Sequence, residues 1–240
     1  QDSLRWWDYW LKGIDTGILA EPMLRCWLQD SVPPATYYAE RPGRWVAEPS
    51  WPSPNVSARA LYLTGDGAAG RLSARPEAGA ALRVRGRLGY GLDVGQWGAY
   101  GTPGEWPGDQ RAADGECLTF DSPPAGAPED ILGYPEVELL LSADQPLALV
   151  AVRLCDVAPD GASTLVSWGL LNLTHRDGHA DPQPLEPGRR YRVTVRLNVS
   201  GHCLAAGHRW RVAVSPVYTR HAWPSPEPVT LTLYAGAECC

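Results

Sequence analysis

The chain has a single lysine, a single phenylalanine and a single methionine in 240 residues, but the patterns it lacks say more than the residues. No apolar run reaches the roughly 18–20 residues that span a bilayer, so a membrane-spanning helix is not expected. The net charge is -6 and no stripe of basic residues interleaved with aromatics occurs, which argues against a nucleic-acid partner. No serine stands in a Gly-x-Ser-x-Gly elbow, and no alternation of strand and helix patterns exists to carry one. The five histidines show no metal-ligand spacing. His175 and His179 are four apart, but Arg176-Asp177-Gly178 between them reads as loop, while His202, His208 and His221 lie near Cys203 or Trp223. Glu129-Asp130 fall in a Pro-rich stretch and read as solvent-facing. No catalytic, metal-binding or cofactor-binding residue is therefore assigned. Signal-peptide features and an initiator Met are both missing, so Gln1 is expected to be a cut site.

What is present points to strands. Gly (25) and Pro (23) are abundant, which suits many turns between short strands. The clearest case is Leu147 to Thr174, two β-rich runs flanking Ala158-Pro159-Asp160-Gly161. Pro159 and Asp160 suit the centre of a type I turn, and Gly161 can take the left-handed position after it. Ala158 should then face Ala162, with Val152 opposite Trp168, Leu154 opposite Val166 and Val150 opposite Leu170 on a core face. The other face is expected to be polar at Arg153 and Ser167 and apolar at Leu147, Leu149, Leu171 and Leu173. An isolated ribbon is marginal in water, so further strands must cover it. Candidates are Met23–Gln29, Thr36–Glu40, Arg44–Ala47, Ala58–Thr64, Cys117–Asp121, Glu136–Ser142, Tyr191–Val199, His208–Pro216 and Val229–Tyr234. Together they predict an all-β, jelly-roll β-sandwich.

One helix precedes it. In DSLRWWDYWLK (residues 2–12), Ser3 is a candidate N-cap and Gly13 a candidate stop. Leu4, Trp6, Trp7, Trp10 and Leu11 share one face, opposite Arg5, Asp8 and Lys12. Three tryptophans on so short a helix favour docking on a neighbour outside this sequence; the alternative is packing on the sandwich itself. Gly86 to Gly108 is Gly-rich and aperiodic, a long loop suited to reaching a partner domain, with Trp97 and Trp106 on it. Trp-Pro-Ser-Pro occurs at 51–54 and again at 223–226. Each copy reads either as a stiffened strand entry capped by Trp or as an exposed platform for stacking on sugars. Cys26, Cys117, Cys155 and Cys203 stand singly in strand-like runs, as small hydrophobes. Cys239-Cys240 have no assigned role. The thiols are expected to be reduced and the protein cytoplasmic, with secretion left open by sequons at Asn55, Asn172 and Asn198.

Several stretches taken together resemble one family: Leu4–Gly13 (LRWWDYWLKG), Pro107–Arg111 (PGDQR), Leu154–Gly161 (LCDVAPDG), Leu171–Arg176 (LNLTHR), Pro187–Gly188, Ala206–Arg209 (AGHR) and Trp223–Pro226 (WPSP). In order and spacing the chain is similar to the C-terminal portion of CocE/NonD hydrolases, the group of X-Pro dipeptidyl-peptidases, cocaine esterase and α-amino-acid ester hydrolases. The resemblance implies a galactose-binding-domain-like jelly roll that follows an α/β-hydrolase domain carrying a Ser-Asp-His triad. It further implies that residues 1–20, helix and connector, belong to the end of that hydrolase domain, and that residues 21–240 form the sandwich. The expected partner is thus an N-terminal α/β-hydrolase domain of the same polypeptide, acting on ester or X-Pro peptide bonds, with homo-oligomer contacts as a further expectation. No catalytic residue carries over onto this chain. Leu4, Trp6, Trp7, Trp10, Leu11, Trp97, Trp106, Asp109 and Arg111 are the expected interdomain contacts. Asp109 and Arg111 either anchor a loop by charge-assisted hydrogen bonds or belong to a solvated turn. The rival from another class is a stand-alone carbohydrate-binding module, suggested by the eleven tryptophans.

Overall fold

The computed structural model describes residues 1–65, 70–98, 100–236 and 239–240. It opens with helix α1 (Asp2–Lys12), which ends where Gly13 turns left-handed at φ 68° and returns its N–H to the Asp8 and Tyr9 carbonyls. Gln1 takes the N-cap position without a side-chain bond, so Ser3 lies inside the first turn rather than capping it. A 3-10 turn, Ile18–Ala20, leads into the strands.

The strands are β1 (Leu24–Asp30), β2 (Gly43–Glu48), β3 (Tyr62–Thr64), β4 (Gly70–Ser73) and β5 (Ala81–Arg85), followed by the one-turn helix α2 (Arg111–Asp114). Then come β6 (Leu118–Asp121), β7 (Glu129–Gly133), β8 (Glu136–Ala143), β9 (Leu149–Val157), β10 (Ser163–Asn172), β11 (Tyr191–Arg196), β12 (Ser200–Leu204), β13 (Arg209–Ser215) and β14 (Thr230–Tyr234). They form sheets of order β10-β9-β13-β6-β4-β3, β11-β8-β14-β5 and β2-β1-β12-β7. Pairing is antiparallel except for β1 with β12 and β4 with β6. The first two sheets face each other across the main core. Val137, Leu139 and Leu141 of β8, Val193 and Val195 of β11, and Leu231 and Leu233 of β14 meet Val150 and Val152 of β9, Val212 and Val214 of β13, and Phe120. β5 and β11 alternate because only one of their faces is covered. The third sheet joins this core through Leu204 and Ile131. The fold is the all-β, jelly-roll sandwich with one short amphipathic helix ahead of it.

Several local expectations are corrected. Thr36–Glu40 is not a strand. The Tyr38 hydroxyl folds that segment on itself, donating to Pro33 O and accepting from Ala35 N–H, and Thr36 O accepts N–H groups from Gly104 and Trp106. Ala58–Thr64 shortens to β3, while β4, β5, β7 and β12 were not anticipated. Glu129 and Asp130 open β7 instead of lying in a solvated loop. Glu129 accepts from Arg59 and from the Trp210 indole, and Asp130 pairs with Arg44.

The central hairpin keeps its turn but not its register. Ala158 faces Ala162 and Thr164 faces Asp156, after which Val166 is a bulge. Trp168 therefore lies opposite Arg153, not Val152, and Val150 lies opposite Leu171. The outer face of β9 and β10 becomes a second core, where Leu149 and Ala151 pack with Tyr90, Val94, Ala113, Val217 and Tyr218, and Trp168 and Leu170 join them. Leu171 and Leu173 go to the main core, and Leu147 is exposed. The first half of the Gly-rich stretch thus covers its own sandwich.

Candidate functional site

The outermost feature is aromatic. No residue of α1 is buried; Leu4, Trp6, Trp7, Trp10 and Leu11 are all exposed, Leu11 to 74%. Trp6 and Trp10 touch each other with ring centroids 5.8 Å apart, so the face coheres without a protein surface over it. Its polar side is tied down. Arg5 bonds Glu21 at 2.5 Å and Thr16 O at 3.1 Å, and Asp2 reaches Arg25 of β1 at 2.9 Å. Two residues along β1, Trp27 meets Trp45 edge-on at 5.5 Å. Trp27 also lines a cleft with Trp106 and Trp168, and Trp168 carries Trp97 at 5.9 Å. Of the expected contacts, α1, Trp106 and Trp97 are therefore linked through β1 and the cleft. Trp97 (71%) and Tyr100 (95%) stand well out from the sandwich. The two Trp-Pro-Ser-Pro copies differ: Trp51 rests against Gly133, while Trp223 is 93% exposed.

Asp109 and Arg111 lie beside the end of the central hairpin, where Asp109 meets Ser163. Asp109 accepts from the Arg111 backbone and guanidinium and from Ser163 N–H. Burial pushes its carboxyl up, and these bonds outweigh that and leave it below its ordinary value. Arg111 is largely exposed. The residue that holds the loop is Gln110 between them. It is fully buried, and its amide donates to Asp93 O at 2.7 Å and Gly108 O at 2.8 Å.

Gln110 also accepts from Arg153 at 2.6 Å, which exposes what the sequence reading missed. Arg153, expected on a polar outer face, is 0% exposed. Its Nε donates to the Tyr90 hydroxyl at 2.9 Å and its Nη2 to Asp114 at 2.6 Å. Burial works against its charge, but Cys155, Tyr90 and Asp114 around it hold its pKa above the usual guanidinium value. Asp114 accepts in turn from Arg211, whose fork grips Asp121. A single cation thus fastens the Gly-rich stretch (Tyr90), the α2 turn (Gln110, Asp114) and β9 together. No local pattern marks such a residue, because its three partners lie far from it in sequence.

A second hub centres on Asp156. It bonds His202 at 2.9 Å, His208 at 2.6 Å and the Ser31 hydroxyl, joining β9, β12 and the connector after β1. Serine, histidine and aspartate meet here, yet Ser31 bonds the carboxylate directly and not an imidazole, so the three do not form a serine–imidazole–carboxylate relay. Burial raises the Asp156 carboxyl, and the three donors more than reverse this. Among the described residues no three His, Cys, Asp or Glu side chains are grouped to hold a metal ion. His175 and His179 do meet, with Nδ1 atoms 3.1 Å apart, although the segment between them is not α-helical. Cys155 is buried and its thiol is pushed up to about 12, and Cys239 sits in the main core. No helix among the described residues is long and apolar enough to cross a membrane.

Residues 16–238 match the family model described as the X-Pro dipeptidyl-peptidase C-terminal non-catalytic domain. Among curated proteins the chain is similar to one of Mycobacterium bovis named by inference as a serine esterase, with 27% identity over 255 residues covering 92% of this chain and 36% of that protein. It is also similar to cocaine esterase of a Rhodococcus species, at 23% identity over 192 residues, 74% of this chain and 33% of the other. An aminopeptidase structure from a marine-sediment Thaumarchaeota archaeon shares the fold, with a TM-score of 0.72 over 98% of this chain and 42% of that one at 21% identity. The chain spans about a third of the length of the curated relatives it matches.

Proposed function

Because the chain belongs to the family of X-Pro dipeptidyl-peptidase C-terminal non-catalytic domains, the CocE/NonD group, we propose that it packs on an α/β-hydrolase domain of the same polypeptide and steadies it. In this reading α1 and its connector (residues 1–20) complete that hydrolase domain, and the sandwich (residues 21–240) is the buttress. The exposed stretch around Trp97 and Tyr100 borders the route by which an ester or X-Pro peptide substrate enters. The observation that carries the reading is α1. Five large apolar side chains line one face of an eleven-residue helix, and none is buried. Water does not reward such a face; each large apolar side chain gains roughly 1.5–3 kcal/mol from full burial.

The test is the triple substitution of Trp6, Trp7 and Trp10 by Ser, placed both in this chain and in the polypeptide extended by its hydrolase portion. In the longer protein the unfolding midpoint and the rate of ester or X-Pro-anilide hydrolysis should both fall. In the 240-residue chain stability should stay within about 0.5 kcal/mol of the parent, as for surface positions. Equal losses in both would place the helix on its own sandwich and end the proposal. One observation favours a second reading, a carbohydrate-binding module: Trp223 stands almost wholly in solvent. A saturable, sugar-specific quench of tryptophan fluorescence that vanishes in Trp223→Ala would support it.

A further inference from the structure

The cleft between β1, β10 and the Gly-rich stretch holds a cation with one N–H left unpartnered among the described residues. Its volume is about 260 Å³; Trp27, Trp106 and Trp168 contribute flat walls, and Gln29 and Thr164 add polar edges. Arg41 lines it too, its guanidinium lying over the Tyr38 ring at 4.7 Å. Arg41 Nε is closed off from solvent and has no hydrogen-bond partner among the described residues. Burial lowers the pKa of this arginine, and attraction from Tyr38 and Asp156 does not restore it.

Asp156 and Tyr38, the groups that attract Arg41, are already bonded to other partners. Both Asp156 oxygens are taken by Ser31, His202 and His208. The Tyr38 hydroxyl bonds Pro33 O and Ala35 N–H, and Arg41 O accepts from the Trp27 indole at 3.2 Å. A half-buried guanidinium beside aromatic walls is the arrangement that recognises a carboxylate through two parallel N–H bonds while the walls hold an apolar body.

We propose that this cleft binds an organic carboxylate borne on a flat apolar group, the carboxylate accepting from the Nη groups of Arg41 and the apolar group lying against Trp27, Trp106 and Trp168. The inference does not depend on the docking of α1.

Calorimetric titration of the 240-residue chain with 3-phenylpropionate tests it, beside the neutral isostere 3-phenylpropionamide. The acid should bind saturably at one site and the amide about 10- to 100-fold more weakly, as for loss of a charge-assisted hydrogen-bond pair. Arg41→Met should weaken the acid by a similar factor, and Arg41→Lys, which keeps the charge without the fork, by less. Absence of saturation, equal binding of acid and amide, or unchanged affinity in Arg41→Met would overturn the proposal. The acid–amide comparison needs no variant, so misfolding of one cannot obscure it. The source of the natural carboxylate is read from the longer polypeptide. A free ligand leaves phenylpropionate binding intact there. A side chain of the hydrolase portion blocks it and makes Arg41→Met lower the unfolding midpoint of the longer protein more than that of the chain alone.

Discussion

Arg153 shows how one side chain can decide the shape of a surface. It is fully buried, yet each of its three nitrogens has a partner, and Asp114 supplies the countercharge for it and for Arg211 at once. Removing one member of a buried pair strands the other, which typically costs about 3–5 kcal/mol. Asp114→Ala should lose that much in urea unfolding and raise hydrogen exchange in the stretch around Tyr90 and Val94, which the cluster holds down. A loss below about 1 kcal/mol would mean that water reaches Arg153 readily. Asp156 acts through protons. Its folded carboxyl sits below its ordinary value of 3.8 because His202, Ser31 and His208 favour the charged form. The native state therefore binds the proton more weakly than the unfolded chain, so stability from this group is complete above the unfolded value and lost as pH falls through the folded one. Urea midpoints measured from pH 6 to pH 3 should drop on the acid side. Asp156→Asn, less stable at neutral pH, should show a shallower drop. Parallel curves would assign the acid loss to the other carboxyls held low, those of Glu48, Glu105, Asp109 and Glu129.

At the scale of elements, the reading from sequence succeeds where a strand has one wet face and fails where it has none. β8 and β11 alternate cleanly, and with the turn at Ala158–Gly161 they made the sandwich legible. β9 is buried on both faces, so its apolar residues fit either register and the slip at Val166 leaves no mark in the pattern. The bulge has a physical reason. It turns Trp168 to Arg153's side, where it stacks on His221 at 4.4 Å, and it sets Gly169 where a Cβ would come within 2.5 Å of Arg196 O. Only glycine lets β10 and β11 approach so closely. β7 and β12 are short and pair with each other, and Glu129-Asp130 disguised β7 as solvent. The Gly-rich stretch had no period to read, because Tyr90 and Val94 are fixed by long-range partners. The helix was legible to the residue, since its apolar face follows the helical period even with nothing packed on it. Arg41 was invisible, lying in a segment misread as leading from one strand to another.

For the molecule as a whole, two opposed forces act on the exposed aromatic surface. The chain carries a net charge of -6, which keeps copies apart. Trp6, Trp7, Trp10, Trp45, Trp97 and Trp223 are exposed apolar area that draws copies together wherever repulsion is weak. Salt separates the two, because the screening length shrinks from about 10 Å at 0.1 M to about 3 Å at 1 M while apolar attraction is not screened. Sedimentation of the 240-residue chain should therefore show mostly monomer at low salt and growing association at high salt. The Trp6, Trp7 and Trp10 to Ser variant should remain monomeric throughout. In the polypeptide extended by a hydrolase domain, where that domain covers the helix, the salt-driven association should be far weaker. Association that salt suppresses would instead mark a contact between charged surfaces, such as the outward arginines 83 and 85 of β5 meeting the acidic excess elsewhere on a second copy. Association that survives loss of the three tryptophans would move the sticky surface away from α1 to Trp97 and Trp223.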